Sequence, residues 1–175
     1  VVQNAIFLAV GAATGIALKN ALTFGIYSVP GLARLAGLDE EEKEGLLIPT
    51  IATRGELDEF EQLNIEKAIQ WTLMRKFKKD DILTEDFVKL VHKKMYGDVW
   101  TWAGEFRKTN KNIGVDRSLV AIELRKVLGD CNYWIDHGTY PPDEIAVRFK
   151  HCIVSIHCFS NGNGRHSRMI GDLIV

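Results

Sequence analysis

The chain has 175 residues, with 22 Lys and Arg against 23 Asp and Glu, 46% hydrophobic residues and a sequence pI near 6.6. That length supports one domain with a core of its own, and the balanced charge excludes the global basic excess of a nucleic-acid binder. Cys131, Cys152 and Cys158 form no CxxC pair and read as buried thiols of a reducing, cytoplasmic setting.

Residues 1–38 differ from the rest, since only Lys19 and Arg34 are charged there. The apolar stretch Ala5 to Leu18 is shorter than the ~20 residues of a spanning helix. Extension through Tyr27 would place Lys19 in mid-bilayer, which is costly, and no basic start marks a signal peptide. Packed or partner-facing helices, membrane contact and a foreign segment are all open readings. The acidic run Asp39 to Glu44 reads as a solvated linker, so a domain boundary is expected at 44/45. A start at Val1 and an end inside an apolar run read as a piece of a longer chain.

Five helices are expected beyond that boundary. Glu56 to Phe77 repeats Leu57, Phe60, Leu63/Asn64, Ala68, Trp71 and Met74/Arg75 at three-to-four spacing, and Lys78 to Asp81 breaks it. Thr84 is a plausible N-cap for a helix with Phe87, Leu90, Val91 and Met95 inward, ended by Gly97. His92 on that helix reads as structural. Lys108 to Val115 has polar turn residues between short β-tolerant pieces, either a small hairpin or a plain loop. Ser118 reads as the next N-cap, before the stripe Val120, Leu124, Val127, Cys131 and Trp134, with Gly138 as stop. Pro141-Pro142 opens another helix, whose face of Ile145, Phe149, Cys152/Ile153 and Ile156 ends at His157. The four tryptophans are most simply core.

Residues 157–168, His-Cys-Phe-Ser-Asn-Gly-Asn-Gly-Arg-His-Ser-Arg, organise the chain. Gly162 and Gly164 permit positive φ, and successive amides in such a turn form an anion-binding nest. The following stretch, Arg165 to Val175, reads as a helix, so the turn sits at a helix N-terminus suited to phosphate. Arg165 and Arg168 share one helix face and offer rigid donor forks to phosphate oxygens. His157 has an unperturbed pKa near neutrality. A base beside a polyphosphate cradle points to activation of a hydroxyl that attacks phosphorus. His151, His157 and His166 lack metal-ligand spacing, Cys158 has no evident orienting group for nucleophilic work, and no P-loop occurs.

The same stretch resembles the Fic-family motif His-Pro-Phe-x-(Asp/Glu)-Gly-Asn-Gly-Arg-x-x-Arg. His157, Phe159, Gly162, Asn163, Gly164, Arg165 and Arg168 match, while Cys158 replaces proline and Asn161 replaces the acid. Trp102-Ala103-Gly104-x-x-Arg107 resembles a second Fic element. Gly45 to Val175 is similar to a Fic (fido) domain, and several of its segments resemble the bacterial mobile mystery protein B subgroup. The fold this implies is all-α, a helical bundle with a short β-hairpin flap.

The implied activity is transfer of AMP from ATP to a Ser, Thr or Tyr hydroxyl of a target protein. His157 would be the base. Gly162, Asn163 and Gly164 would hold the α- and β-phosphates, and Arg165 and Arg168 the outer ones. Mg²⁺ would bridge phosphates, with Asn161 a weakened ligand because an amide brings no charge. Thr109, Asn110, Lys111, Asn112, Ile113 and Gly114 would form a flap that docks the target segment as an added strand. Many Fic proteins carry an inhibitory (Ser/Thr)-x-x-x-Glu-(Gly/Asn) helix whose glutamate pairs with the second arginine. Thr50 leads to Arg54, Thr53 to Leu57 and Ser28 to Leu32, so none fits, and Glu61 with Asn64 falls in the first core helix. Inhibition would then come from an antitoxin-like partner, from a C-terminal helix, or from nothing. A Fic-type phosphotransferase and a non-catalytic nucleotide- or partner-binding module are the alternatives.

Overall fold

The computed structural model describes residues 44–174, so the expectations for 1–38 and for most of the acidic linker lie outside the described residues. Six α-helices follow one another: α1 (Arg54–Leu73), α2 (Lys79–Ile82), α3 (Glu85–Tyr96), α4 (Val120–His137), α5 (Pro142–Ile156) and α6 (Asn163–Asp172). A 3₁₀ turn, Arg117–Leu119, precedes α4. Helix α3 packs on α1, α5 packs between α4 and α6, and α3 also touches α4 and α6. Leu57, Val88, Val91, Leu124, Phe149, Phe159 and Ile170 are fully buried where these helices meet. No described helix is long and apolar enough to cross a membrane.

The helix starts follow local chemistry. Thr53 and Glu56 form a reciprocal capping box at α1, and Thr84 Oγ1 accepts from Phe87 N at 3.1 Å at α3. Asp116, not Ser118, caps the start of the 3₁₀ turn, because its carboxylate accepts both the Ser118 amide and hydroxyl. The expected break at 78–81 instead contains the single turn α2. Gly138 ends α4 in the left-handed region at φ 57°.

Two inward faces differ from the sequence expectation. On α1, Phe60 and Leu63 are 41% and 55% exposed, while Leu57, Glu61, Asn64 and Ala68 point inward. The face turns because Asn64 serves the end of α3: it donates to Lys94 O and accepts from Asp98 N. On α3, Val88 is buried and Leu90 faces outward.

The expected β-hairpin at 108–115 is not present. No strand is formed among the described residues; Leu46 and Trp100 meet in an isolated antiparallel bridge, away from the flap. The flap is instead folded around the buried Arg107 guanidinium. Its Nε donates to His157 O at 2.6 Å, Nη1 donates to Thr109 O at 2.8 Å, and Nη2 donates to Val115 O. Asn110 closes the loop a second time, donating to Asp116 and accepting from Arg117 N. Carbonyls that a strand ladder would need are thus taken by side chains, and the backbone bends between them.

A lysine cannot reproduce a three-way fork. Arg107→Lys should lower unfolding free energy by about 1.5–3 kcal/mol, the range for charge-assisted hydrogen bonds. Hydrogen exchange should show residues 108–115 deprotected first, with α4 unchanged.

Candidate active site

One cavity of about 430 Å³ lies at the N-terminus of α6. It is lined by Lys111, Asn112 and Ile113 of the flap, by His157 and Ser160 to Gly164 of the loop, and by Arg165 and Arg168 of α6. The residues expected to act together are therefore assembled here, with part of the flap facing them.

His157 is the C-cap of α5 and the only non-glycine residue with positive φ among those described, at φ 58° and ψ 63°. That turn takes the chain out of the helix and into the loop. Gly114, itself at φ 93°, lies against it so closely that a Cβ would stand 2.5 Å from the His157 Cβ and 2.8 Å from Ile156 O. The ring is half-buried. Burial first, then the Arg107 and Lys111 charges, depress its pKa below the ordinary histidine value. It is therefore a neutral imidazole at physiological pH, able to accept a proton.

The loop is held from within. Asn163 accepts from Phe159 N at 2.9 Å and donates to Phe159 O at 2.8 Å, so its buried side chain clamps the turn. Asn163, expected at the phosphates, thus uses its side-chain oxygen and one side-chain N–H on the loop itself. Gly162 caps α6 at φ 76°, and a Cβ there would meet the Tyr96 ring at 2.5–2.6 Å. From that turn the first amides of α6 lack helical acceptors, as at any helix start.

Beneath the loop lies a layer of buried polar groups. Gly104 N donates to His92 Nδ1 at 3.0 Å, which fixes the tautomer, so His92 Nε2–H donates to Asn161 O at 3.1 Å. The His92 ring stacks on Phe159 with centroids 3.8 Å apart. Burial drives the His92 pKa well below its ordinary value and that of His166 down to about 4. Burial likewise pushes the Cys158 thiol up to about 12, which removes it as a nucleophile.

Glu61 has a role that the sequence pattern does not reveal. Its carboxylate is wholly buried, accepts from Trp100 Nε1 at 2.8 Å and pairs with Arg165 Nη2 at 2.6 Å. Arg165 also lies over the Tyr96 ring, 5.2 Å from its centroid. Glu61 thus holds the first motif arginine, whereas no described carboxylate forms an ion pair with Arg168. Apolar periodicity could not find this; a glutamate four residues after Leu57 and three before Asn64, on the inward face, was the available signal.

The implied Mg²⁺ has no matching donor set. Mg²⁺ at phosphate sites is held through one or two carboxylates plus substrate oxygens. Among the described residues the cavity lining contains no carboxylate. Asn161 Oδ1 already accepts Gly162 N at 2.6 Å, and its backbone oxygen accepts His92. Among the described residues no group of three His, Cys, Asp or Glu could hold a metal.

Comparison with known proteins gives a consistent result. The Fic/DOC family model matches residues 82–175. The protein adenylyltransferase Fic of Nematostella vectensis is 25% identical over 123 residues, 68% of this chain and 29% of that protein. The chain thus spans under a third of that relative. The N-terminal FIC domain of Bep8 from Bartonella sp. 1-1C superposes with a TM-score of 0.61 at 15% identity, covering 82% of this chain and 75% of that one. BepC of Bartonella tribocorum, solved with AMPPNP, gives 0.62 at 17% identity, covering 78% of each chain. These two share the fold.

The buried histidines make stability acid-sensitive. Their folded pKa values lie below 6.5, so as pH falls the unfolded chain takes up protons that the folded one refuses. The stability present above 6.5 is lost progressively below it. The urea midpoint should therefore be lower at about pH 5 than at about pH 7; equal midpoints would contradict the buried neutral state.

Proposed function

The chain belongs to the Fic/DOC family, and on that premise we propose that it is a protein adenylyltransferase, moving AMP from ATP to a hydroxyl of a target protein. The observation that carries this is one cavity lined together by a neutral His157, the loop at the start of α6, and Arg165 and Arg168. The named activity of the Nematostella relative and the AMPPNP in BepC agree with it.

In this reading the target oxygen forms a bond to the α-phosphorus while His157 accepts its proton. The bond from the α-phosphorus to the bridging oxygen of the β-phosphate breaks, and pyrophosphate leaves with the electron pair. Amides at the start of α6 bind the phosphates. Arg168 reaches the outermost charge, and Arg165, fixed by Glu61 and Tyr96, contributes direction as well as charge. The bent flap, with Ile113 exposed and Gly114 packed on His157, is the surface on which the target segment would lie.

The test uses α- or γ-labelled ATP with a bacterial lysate as target. Label from the α-phosphate should appear on protein. His157→Ala should lower this by about 10²–10⁴-fold, the usual worth of a positioned base, while ATP binding persists because the cradle is intact. Label from the γ-phosphate alone would mean phosphotransfer. The rate should rise with pH and level off, with its acid limb below 6.5, because the depressed pKa keeps His157 unprotonated down to that range.

A further inference from the structure

The cavity is unusual in its charge. Among the described residues its lining carries three cationic side chains, Lys111, Arg165 and Arg168, and no anionic one. Asn161, at the position where the motif has an acid, is turned into its own loop by bonds at both oxygens. Arg165 is partly neutralised from below by Glu61. The flap-side cation, Lys111, lines the same cavity as the arginines and is close enough to His157 for its charge to be felt there.

The position of Lys111 is also well determined. It lies between Thr109, whose carbonyl is held by Arg107, and Gly114, which packs against His157. Its neighbour Asn110 is tied to Asp116 at 2.8 Å and to Arg117 N at 2.7 Å. A side chain on a loop stapled this way loses less freedom on meeting an anion than one on an open loop. An ammonium is a compact point charge, suited to sit between phosphate oxygens as a cation would.

We propose that Lys111 is a direct ligand of the nucleotide phosphates and supplies, from the flap, the positive charge that a protein-held Mg²⁺ would otherwise bring. The site then binds a nucleoside polyphosphate without divalent metal. This rests on the nucleotide reading above and assigns Lys111 a role distinct from target docking. It also accounts for the missing acid: a carboxylate at 161 would add negative charge to the phosphate loop with no metal to offset it.

Calorimetry with ATP and ADP, in EDTA and again in Mg²⁺, separates the possibilities. Wild-type affinity should differ by less than about threefold between the two conditions, under 1 kcal/mol. Lys111→Met should weaken binding in EDTA by about tenfold or more, equivalent to about 1.4 kcal/mol, while remaining folded by urea titration. Lys111→Arg should keep most of the affinity. Lys108→Met removes the same charge from an exposed site beside Glu105, outside the cavity, and should leave binding unchanged. Asn161→Asp should weaken binding in EDTA and make it depend on Mg²⁺. Wild-type binding that is lost in EDTA, or a Lys111→Met protein that binds as wild type does, would overturn the proposal. Absence of binding under both conditions would overturn the nucleotide reading itself, and the proposal with it.

Discussion

The site depends on a single buried cation. Arg107 is 3% exposed, and its guanidinium ends on three backbone carbonyls, those of His157, Thr109 and Val115. A buried charge is costly unless its hydrogen bonds are satisfied, and here main-chain oxygens from three places meet that demand. The consequence is geometric: the flap and the end of α5 are joined at one point. The Arg107 backbone N also donates to Cys158 O, and Val115 N to Ile156 O. The same charge helps keep His157 unprotonated, so one side chain both places the base and tunes it.

A second layer works from below. Asn163 fixes the turn, His92 fixes Asn161, Tyr96 fills the space that a side chain at 162 would need, and Glu61 aims Arg165. None of these side chains needs to reach a substrate, yet each sets where an amide or a guanidinium points. Preorganised donors of this kind act without reorganising when charge moves, which is where electrostatic catalysis has its advantage.

Much of this was legible in the sequence, and the exceptions have physical causes. Helices α4 and α5 were readable because their buried faces are apolar at every turn, and the ends of α5 carry proline at one side and the motif histidine at the other. The loop at 157–168 was readable because so many chemical residue types are concentrated there. Helix α1 was misread because its inward face includes Glu61 and Asn64, polar groups buried against partners far along the chain. Such partners leave no trace in local periodicity. The flap was misread for the same reason: a hairpin and a loop wrapped on a guanidinium have similar composition. Only the location of Arg107, fifty residues before His157 in sequence, distinguishes them.

The left-handed backbone at His157 has an implication for how this protein can be improved or diversified. A non-glycine residue in that region carries a conformational cost, of order 1 kcal/mol for αL, and glycine at the same position would not. Laboratory selection for thermal robustness alone would therefore favour replacing His157 with glycine, and in the proposed reading the proton acceptor would be the first property surrendered. On that reading a stabilised scaffold from such a selection would still bind nucleotide but would not react. Screens for hardier variants of this chain need turnover, rather than survival on heating, as their readout.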